Sequence, residues 1–417
     1  MRVLIINSSD TVGGAAVAAN RLMEALNANG VKTHMLVREK SGNQLTVSAL
    51  KPAWRQQWNF LWERFVIWVA MKLCRKRIFE ADIANAGTDI THLKEFQDAD
   101  IIHLHWINQG MLSLHDIRKI LDSGKRVFWT MHDLWPATAV CHYARGCEQF
   151  HTGCDKCPLM PGSSLPRRVF KKKQQMLSGK KVTFVCCSEW LKGEAEKSAL
   201  LKGQNIVSIP NPIDTRTFRP HDKQLCRLQL GLPADANIIL FVSQRVTDPR
   251  KGMEYFVEAV NMLGEHKDEK RAGQEGRKTI VAILGGHAEE VAEKLTLPAA
   301  PLGYISEPLR IAAVYSAADV FVLPSMEDNL PNTIMEAMAC GVPAVGFNVG
   351  GIPEMIEHRQ NGYVAESGNA ADLAAGISFV LGHPDADSLH KACLHKVNRC
   401  YSQQAVVKKF LELQASR

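Results

Sequence analysis

Two carboxylates lie close to the start of a predicted helix in the second half of the chain. Asp328 is in a loop, and Glu336 follows about a turn and a half into a helix whose first turn suits Pro331 and whose left-handed end suits Gly341. Carboxylates accept hydrogen bonds from sugar hydroxyls, and free backbone N–H groups at a helix start can bind phosphate. The arrangement therefore favours a ligand that is part polyol and part phosphate over a pair of helix-capping acids.

A loop nearer the middle of the chain carries three cations beside another predicted strand end. Arg245, Arg250 and Lys251 lie within residues 243–252, directly after a strand predicted over 238–242. Arg can grip a phosphate through two hydrogen bonds, and Lys can hold it as a point charge. A solvated basic loop is the simpler interpretation of this segment when it is taken alone.

Paired glycines, Gly13 and Gly14, stand between the first predicted strand and an Ala-rich helix. Because they lack side chains, backbone N–H groups here can approach an anion closely. The spacing lacks the G-x-G-x-x-G pattern of dinucleotide sites. A tight strand-to-helix turn explains the pair equally well.

Short apolar runs alternate with amphipathic stretches along the chain. The runs predicted to be strands are residues 2–7, 33–37, 101–105, 127–131, 182–186, 238–242, 279–284, 320–323 and 343–347. Alternation of strand and helix implies parallel sheets with right-handed crossovers. We therefore predict an α/β protein with two doubly wound, Rossmann-like domains over residues 1–207 and 208–386, and a last helix within 387–417 that crosses back to the first domain.

Composition excludes several classes of protein. The 417 residues carry a net charge of +7, and 46% of them are hydrophobic, which excludes disorder and a collagen-like repeat. Because the beginning of the chain turns polar early, we expect no secretory signal there. The longest apolar run, residues 65–71, is far short of the roughly 20 residues that span a bilayer. With 11 cysteines, an odd number, we expect a reducing, cytoplasmic compartment.

Four cysteines cluster in a predicted insert at about residues 133–165. They are Cys141, Cys147, Cys154 and Cys157. A C-x2-C pair with two further thiols suits tetrahedral zinc, and we expect a structural zinc ion that folds the insert. Either His142 or His151 could replace one thiol. Unligated buried thiols are the alternative, whereas two disulfides are disfavoured in a reducing compartment.

A basic, aromatic stretch covers residues 51–79, which hold seven basic side chains against one acid, Glu63. Trp54, Trp58 and Trp62 recur every four residues, so one helical face is aromatic. Such a helix suits an anionic lipid surface, although the Trp stripe could instead be core. No nucleic-acid motif accompanies the charge. A second basic patch is predicted at Arg167, Arg168 and residues 171–173.

The acid pair and the Ala-Met-Ala-Cys-Gly that follows, read with the glycine pair and the cationic loop, resemble the retaining glycosyltransferases of family 4. The resemblance covers nearly the whole chain. It implies the GT-B fold, in which two Rossmann-like domains face each other across a cleft. It also implies that Glu336 contacts the donor ribose, that Arg245 and Lys251 hold the diphosphate, and that Gly13 and Gly14 lie near the donor phosphate.

The same resemblance assigns the transferred sugar to Asp328 and the backbone of Asn329, Leu330 and Pro331. Family members more often have Glu in the first acidic position, and Glu327 stands one place out of register, so either acid could contact the sugar. Because the neighbouring residues 329–332 resemble a frequent variant within the family, we favour Asp328.

His132 closes the strand over residues 127–131 and resembles the family histidine beside the sugar. His103 and His105 are predicted to face opposite sides of the preceding strand. We rank His105 as a cleft candidate because it lies nearest the strand end.

The resemblance implies transfer of a sugar, with retention, from a nucleoside-diphosphate sugar such as a UDP- or GDP-sugar to a glycan or polyprenyl-linked acceptor. The expected route is front-face displacement without a catalytic metal. The cysteine pattern resembles a subgroup from bacterial polysaccharide biosynthesis, in which the insert would shape the acceptor side. The basic, Trp-rich stretch predicts that this cytoplasmic enzyme docks peripherally on the inner face of the membrane. A GT-B-fold nucleotide-sugar epimerase and a non-catalytic zinc-containing binding protein are the alternatives.

Overall fold

The computed structural model describes residues 1–270 and 277–415, which form two compact units. The first unit comprises Met1–Pro212 together with the residues from Val407 onward, and the second is Ile213–Val406. Each unit contains one sheet in which all strand pairs are parallel. The chain thus leaves the first unit once and returns to it within the last helix.

The first unit has a seven-stranded sheet flanked by helices. Its strands are β1 (Arg2–Ser9), β2 (Lys32–Glu39), β3 (Val47–Ala49), β4 (Ile101–Leu104), β5 (Arg126–Met131), β6 (Thr183–Cys186) and β7 (Asn205–Ser208). Its helices are α1 (Gly14–Ala28), α2 (Ala53–Ala70), α3 (Lys94–Asp98), α4 (Leu114–Asp122), α5 (Leu165–Leu177) and α6 (Glu189–Glu196). The strand order is β3-β2-β1-β4-β5-β6-β7.

The second unit has a six-stranded sheet. Its strands are β8 (Asn237–Arg245), β9 (Thr279–Gly286), β10 (Ala299–Gly303), β11 (Val320–Leu323), β12 (Ala344–Phe347) and β13 (Gly362–Ala365). The remaining helices are α7 (Lys223–Gln229), α8 (Met253–Lys270), α9 (Ala288–Ala292), α10 (Pro308–Ala317), α11 (Asn332–Ala339), α12 (Ile352–Met355), α13 (Ala370–Leu381), α14 (Ala386–Cys400) and α15 (Gln403–Ala415). The strand order is β10-β9-β8-β11-β12-β13.

The middle of a central strand such as β1 or β8 is a continuous apolar run because helices cover both faces of a parallel sheet. In β1, every residue from Val3 to Ile6 is at most 2% exposed. Local signals place the helix starts: Ser113 caps α4 in a reciprocal box with Asp116. As in other doubly wound sheets, the carboxyl ends of adjacent strands share one edge.

The last helix is anchored to the first unit at its carboxyl-terminal end. The Arg126 guanidinium donates to the carbonyl oxygens of Leu413 at 2.7 Å and Gln414 at 2.5 Å. These are terminal carbonyls that the helix itself cannot satisfy. The Phe410 ring also lies 5.4 Å from the His103 ring, so side-chain packing and a cationic cap both hold this end of α15.

Helix α2 buries polar side chains and exposes aromatic ones. Its buried residues are Gln56, Asn59, Glu63, Arg64 and Ile67. Trp54, Trp58 and Trp62 are 72%, 64% and 46% exposed, so the interpretation of the Trp stripe as core is wrong. Within residues 1–270 and 277–415, no helix combines the length and apolarity needed to cross a membrane.

One residue predicted to belong to the second basic patch is buried. Lys173 is 1% exposed, and its ammonium donates to the carbonyl oxygens of Trp135 at 2.6 Å and Thr138 at 3.0 Å. Burial lowers the pKa of Lys173 to about 7. Lys173 therefore fastens the insert to α5, whereas Lys171 and Lys172 remain exposed.

Candidate active site

The cationic and acidic loops of the second unit meet through an ion pair. Lys251 Nζ donates to Asp328 Oδ2 at 2.6 Å, and Ser325 Oγ lies 3.3 Å from the same oxygen. The backbone N–H of Met326 donates to the Arg250 carbonyl oxygen at 2.8 Å, which joins the loops a second time. The structure thus brings together two predicted site residues that are 77 positions apart.

Two glycines make this contact possible. Gly252 has φ 66° and Gly350 has φ 56°. A Cβ atom would lie 1.9 Å from the Pro324 carbonyl oxygen at the first position and 1.7 Å from the Asp328 carbonyl oxygen at the second. The backbones therefore pack against each other where only glycine fits.

Helix α11 presents the second acid. Asn329 and Leu330 are both 6% exposed, Pro331 precedes the helix, and Glu336 lies in its interior at 8% exposure. Tyr315 OH donates to Glu336 Oε2 at 3.1 Å. Tyr315 was not among the predicted site residues, so its contact with this carboxylate was missed.

Arg245 lies at the carboxyl end of β8 and is exposed. In the part of the chain that the structure describes, its guanidinium pairs with no carboxylate, whereas Lys251 is paired with Asp328. A guanidinium without an internal partner is available for an external anion.

The glycine pair of the first unit begins α1. Gly13 has φ 92° and precedes the helix, and Gly14 is its first residue. Ser9 Oγ accepts hydrogen bonds from the backbone N–H groups of Thr11 at 3.3 Å and Val12 at 3.1 Å. The glycines are exposed beyond this turn, at the carboxyl end of β1.

Three histidines lie on one side of neighbouring strands β4 and β5. The ring centroids of His103 and His105 are 4.5 Å apart, so the prediction that they face opposite sides is wrong. Residues two positions apart along a strand share a face. His105 Nδ1 lies 2.9 Å from His132 Nε2, and His103 Nε2 lies 2.7 Å from Thr130 Oγ1.

A buried thiol contacts the third histidine. Cys187 Sγ lies 3.7 Å from His132 Nδ1 and 3.1 Å from Asn211 Oδ1. Burial lowers the pKa of His132 to about 4, so its imidazole is neutral near pH 7. Cys187 was not among the predicted site residues, although it directly follows a predicted strand.

Beside His132, a buried ionic network connects β5 with the insert. His142 Nδ1 lies 2.7 Å from Asp133 Oδ2, and His142 Nε2 lies 2.5 Å from Asp82 Oδ2. Trp106 Nε1 donates to Asp133 Oδ2 at 2.9 Å, and Arg64 from α2 pairs with Asp82. Both ring nitrogens of His142 are therefore occupied by carboxylates, so it does not replace a thiol in the cysteine cluster.

This network predicts a pH dependence of stability. Burial alone lowers the pKa of His142, but Asp133 and Asp82 raise it to about 10. Because the folded-state pKa exceeds the unfolded value near 6.5, the stabilisation is complete below pH 6.5 and is lost as pH rises toward 10. We expect the difference in free energy of unfolding between the wild type and His142→Gln to shrink by up to about 1.4 kcal/mol per pH unit in that window. Urea unfolding at pH 6, 8 and 9.5 measures it, and a constant difference would contradict the assignment.

The four clustered cysteines line one cavity of about 340 Å³ and are all free. The backbone N–H groups of Leu159 and Met160 hydrogen-bond the Cys157 sulfur, and that of Ala139 the Cys154 sulfur. Within the described residues, no group of three or more His, Cys, Asp or Glu side chains is spaced to hold a metal ion as it lies.

Comparison with known proteins places the chain among glycosyltransferases. A family model described as "Glycosyltransferase Family 4" matches residues 12–217, and one described as "Glycosyl transferases group 1" matches residues 236–383. The D-inositol 3-phosphate glycosyltransferase 2 of Catenulispora acidiphila is 31% identical over 192 residues. That alignment spans 43% of this chain and 43% of the relative, less than half of its length.

Solved structures resemble the whole chain. Sucrose-phosphate synthase from Thermosynechococcus elongatus has a TM-score of 0.69 at 20% identity, covering 99% of this chain and 98% of that one. HepE of Anabaena, in complex with UDP and glucose, has a TM-score of 0.64 at 15% identity, with both chains fully covered. At these identities the likeness establishes the fold, which is GT-B, and the two matching family models show that the chain belongs to glycosyltransferase family 4.

Proposed function

We propose that the chain is a retaining glycosyltransferase that moves a hexose-type sugar from a UDP- or GDP-sugar to a glycan or polyprenyl-linked acceptor. The observation that carries the proposal is the constellation in the second unit. Arg245 is exposed at the carboxyl end of β8, and Lys251 in the loop that follows pairs with Asp328, which lies after β11. Glu336, in α11, accepts a hydrogen bond from Tyr315. The neighbouring HepE structures contain UDP, glucose and UDP-glucose, which supports the donor class.

Each group has a role in a front-face displacement. Glu336 accepts hydrogen bonds from the ribose hydroxyls, while Asp328 and the backbone of residues 329–331 hold the transferred sugar. As the bond between the anomeric carbon and the diphosphate breaks, Arg245 and Lys251 stabilise the negative charge that develops on the leaving oxygen. The acceptor hydroxyl forms its bond on the same face and gives its proton to the departing diphosphate, so the configuration is retained.

The acceptor side is assigned to the first unit, where His132 follows the carboxyl end of β5. We place the reaction in bacterial cell-surface polysaccharide biosynthesis, on the cytoplasmic face of the membrane. The cysteine-rich insert beside His132 and the aromatic surface of α2 support this placement.

A nucleotide-release assay tests the proposal. The full chain is incubated with UDP-glucose, UDP-N-acetylglucosamine or GDP-mannose, with and without a polyprenyl-diphosphate-linked sugar. We expect one donor to release its nucleoside diphosphate faster when acceptor is present, with the sugar recovered on the acceptor in the donor's anomeric configuration. Conversion of the donor to an isomeric nucleotide sugar without release would instead identify an epimerase, and no reaction with any donor would favour a binding protein.

We further propose that the exposed face of α2 docks on an anionic membrane. Trp58 and Trp62 are exposed along this helix, and the adjoining segment bears Lys72, Arg75 and Lys76. Aromatic side chains enter the boundary between headgroups and acyl chains, and nearby cations attract anionic lipid. Because the opposite face of α2 is fixed to the first unit through Arg64, the helix can present this surface without unfolding.

Replacing two of these aromatics should abolish docking. For the double variant Trp58→Gln and Trp62→Gln, we expect at least tenfold weaker flotation with vesicles containing about 30% anionic phospholipid, because each buried Trp contributes about 1.5–3 kcal/mol. Leu228→Gln, which removes an apolar side chain that is 77% exposed in the second unit, is the control and should float like the wild type. Unchanged flotation of the double variant would contradict the proposal.

We also propose that the cysteine cluster binds one structural zinc ion. Four thiols around one cavity form a donor set that suits zinc, and N–H groups directed at two sulfurs would support thiolate ligands. As the side chains lie, they are not spaced to hold a metal ion, so binding requires them to rotate into the cavity.

Metal analysis tests the zinc proposal. We expect about one zinc per chain in wild-type protein purified without chelator, at most one fifth of that in Cys157→Ser, and the full amount in Cys74→Ser, which alters an exposed cysteine outside the cluster. Cobalt replacement should give the visible absorption of a tetrahedral thiolate site. Zinc-free wild-type protein with four titratable thiols in the cluster would refute the proposal.

A further inference from the structure

We propose that His105 is a positioning residue that holds His132 in its Nδ1–H tautomer. His132 then offers a ligand an N–H donor and cannot act as a general base. The inference rests on the proposed function for the role of His132, but the tautomer itself can be measured without any substrate.

The geometry fixes the two rings against each other. His105 Nδ1 lies 2.9 Å from His132 Nε2, and the ring centroids are 5.2 Å apart. His105 is 3% exposed, and its backbone N–H donates to the Ile6 carbonyl oxygen at 2.9 Å. On its other side lies the His103 ring, itself held by Thr130. His105 therefore has little freedom to turn away from His132.

The direction of the hydrogen bond follows from an unpaired atom. His105 Nε2 is buried without a hydrogen-bond partner in the described residues. A proton there would leave a buried N–H unpaired, at a cost of about 1–3 kcal/mol, and orphaned buried N–H groups are rarer than unfilled acceptors. The proton of neutral His105 is therefore on Nδ1 and is donated to His132 Nε2.

The remaining contacts agree with this direction. With Nε2 accepting, neutral His132 carries its proton on Nδ1, which points toward Cys187 Sγ at 3.7 Å. The Cys187 thiol can in turn donate to Asn211 Oδ1 at 3.1 Å. In this arrangement His105 donates to His132, His132 donates to Cys187, and Cys187 donates to Asn211.

This arrangement changes what His132 can do. Its basic lone pair accepts from His105, so the ring offers a sugar hydroxyl oxygen an N–H donor, at Nδ1, and no acceptor. The long contact to Cys187 is weaker than a bond to oxygen, so a hydroxyl can compete for this donor. Burial lowers the pKa of His103 to about 3 and of His132 to about 4, and that of His105 well below its usual value. Burial therefore favours the neutral form of all three imidazoles, and the adjacent acid Asp133 opposes it at His132.

Long-range 1H–15N NMR of the full chain labelled at histidine nitrogens tests the inference. We expect wild-type His132 to show one Nδ1–H tautomer from pH 5.5 to 8. His105→Leu should give a mixture of tautomers, with an increase in KM of about tenfold that exceeds the change in kcat. His105→Asn, whose amide can donate from near the Nδ1 position, should restore both, and His115→Gln, which alters an exposed histidine, should leave both unchanged.

Two results would overturn the proposal: an Nε2–H tautomer of His132 in the wild type, or an unchanged Nδ1–H tautomer in folded His105→Leu. If His105→Leu fails to fold, the wild-type spectrum and His105→Asn still decide the question. A correct tautomer in a chain that transfers no sugar would refute the proposed function and leave the positioning of His132 intact.

Discussion

Lys251→Ala is expected to lower turnover by about 10²–10³-fold while leaving the fold intact. In the proposed reaction Lys251 supplies positive charge to the leaving diphosphate, and in the structure its ammonium holds Asp328 at 2.6 Å. The variant therefore loses charge stabilisation and frees the carboxylate proposed to hold the sugar. Because both side chains are partly exposed, the free energy of unfolding should change by only about 1 kcal/mol.

A matched variant separates catalysis from ion pairing. Lys396 pairs with Glu357 at 2.9 Å in the same unit, outside the candidate site. Lys396→Ala should leave turnover within about twofold, since it removes a comparable ion pair without touching the site. Steady-state kinetics of both variants measure the effects, and near-normal turnover of Lys251→Ala would remove Lys251 from the reaction.

Gly350→Ala is expected to damage stability and activity together. Its Cβ atom would lie 1.7 Å from the Asp328 carbonyl oxygen, so either the acidic loop or the turn after β12 must move. The positive φ costs about 1–2 kcal/mol, and the steric overlap adds about 1–3 kcal/mol. Any displacement also moves Asp328 away from Lys251, so turnover should fall by at least about tenfold.

Gly231→Ala is the control for backbone strain alone. Gly231 has φ 67° in the same unit, and nothing lies within 4 Å of its added Cβ. Its free energy of unfolding should fall by only about 1–2 kcal/mol, with turnover unchanged. Equal destabilisation of the two variants in chemical unfolding would show that the loops yield without cost and that the close packing does not position Asp328.

The central strands could be predicted from the sequence, and the edge strands could not. Each run of buried aliphatic residues, such as those in β1 and β11, marks a strand that has a neighbouring strand on either side and helices on both faces. The four missed strands, β3, β7, β10 and β13, are the four sheet edges. They are short and mostly half-buried, so neither a long apolar run nor strict alternation marks them.

The candidate site was predictable where residue type alone carries the chemistry. Asp328 and Lys251 were both singled out, but their ion pair depends on glycines that let two loop backbones touch. Contacts between strands were harder to predict, because the pairing of His105 with His132 depends on the register of β4 against β5. The exposed Trp face of α2 was ambiguous for a similar reason, since buried contacts with distant residues, such as those of Glu63 and Arg64, decide which side of the helix faces inward.

The most direct test of the account is a thermal-shift panel of UDP-, GDP- and ADP-sugars on the wild type and on Glu336→Ala. A ligand at 100 times its dissociation constant stabilises the folded state by about 2.7 kcal/mol. We expect one donor class to stabilise the wild type and Glu336→Ala to lose most of this shift, because the carboxylate held by Tyr315 no longer accepts from the ribose. Equal stabilisation of both proteins, or of neither by any donor, would contradict the assignment of the second unit as the nucleotide-sugar site.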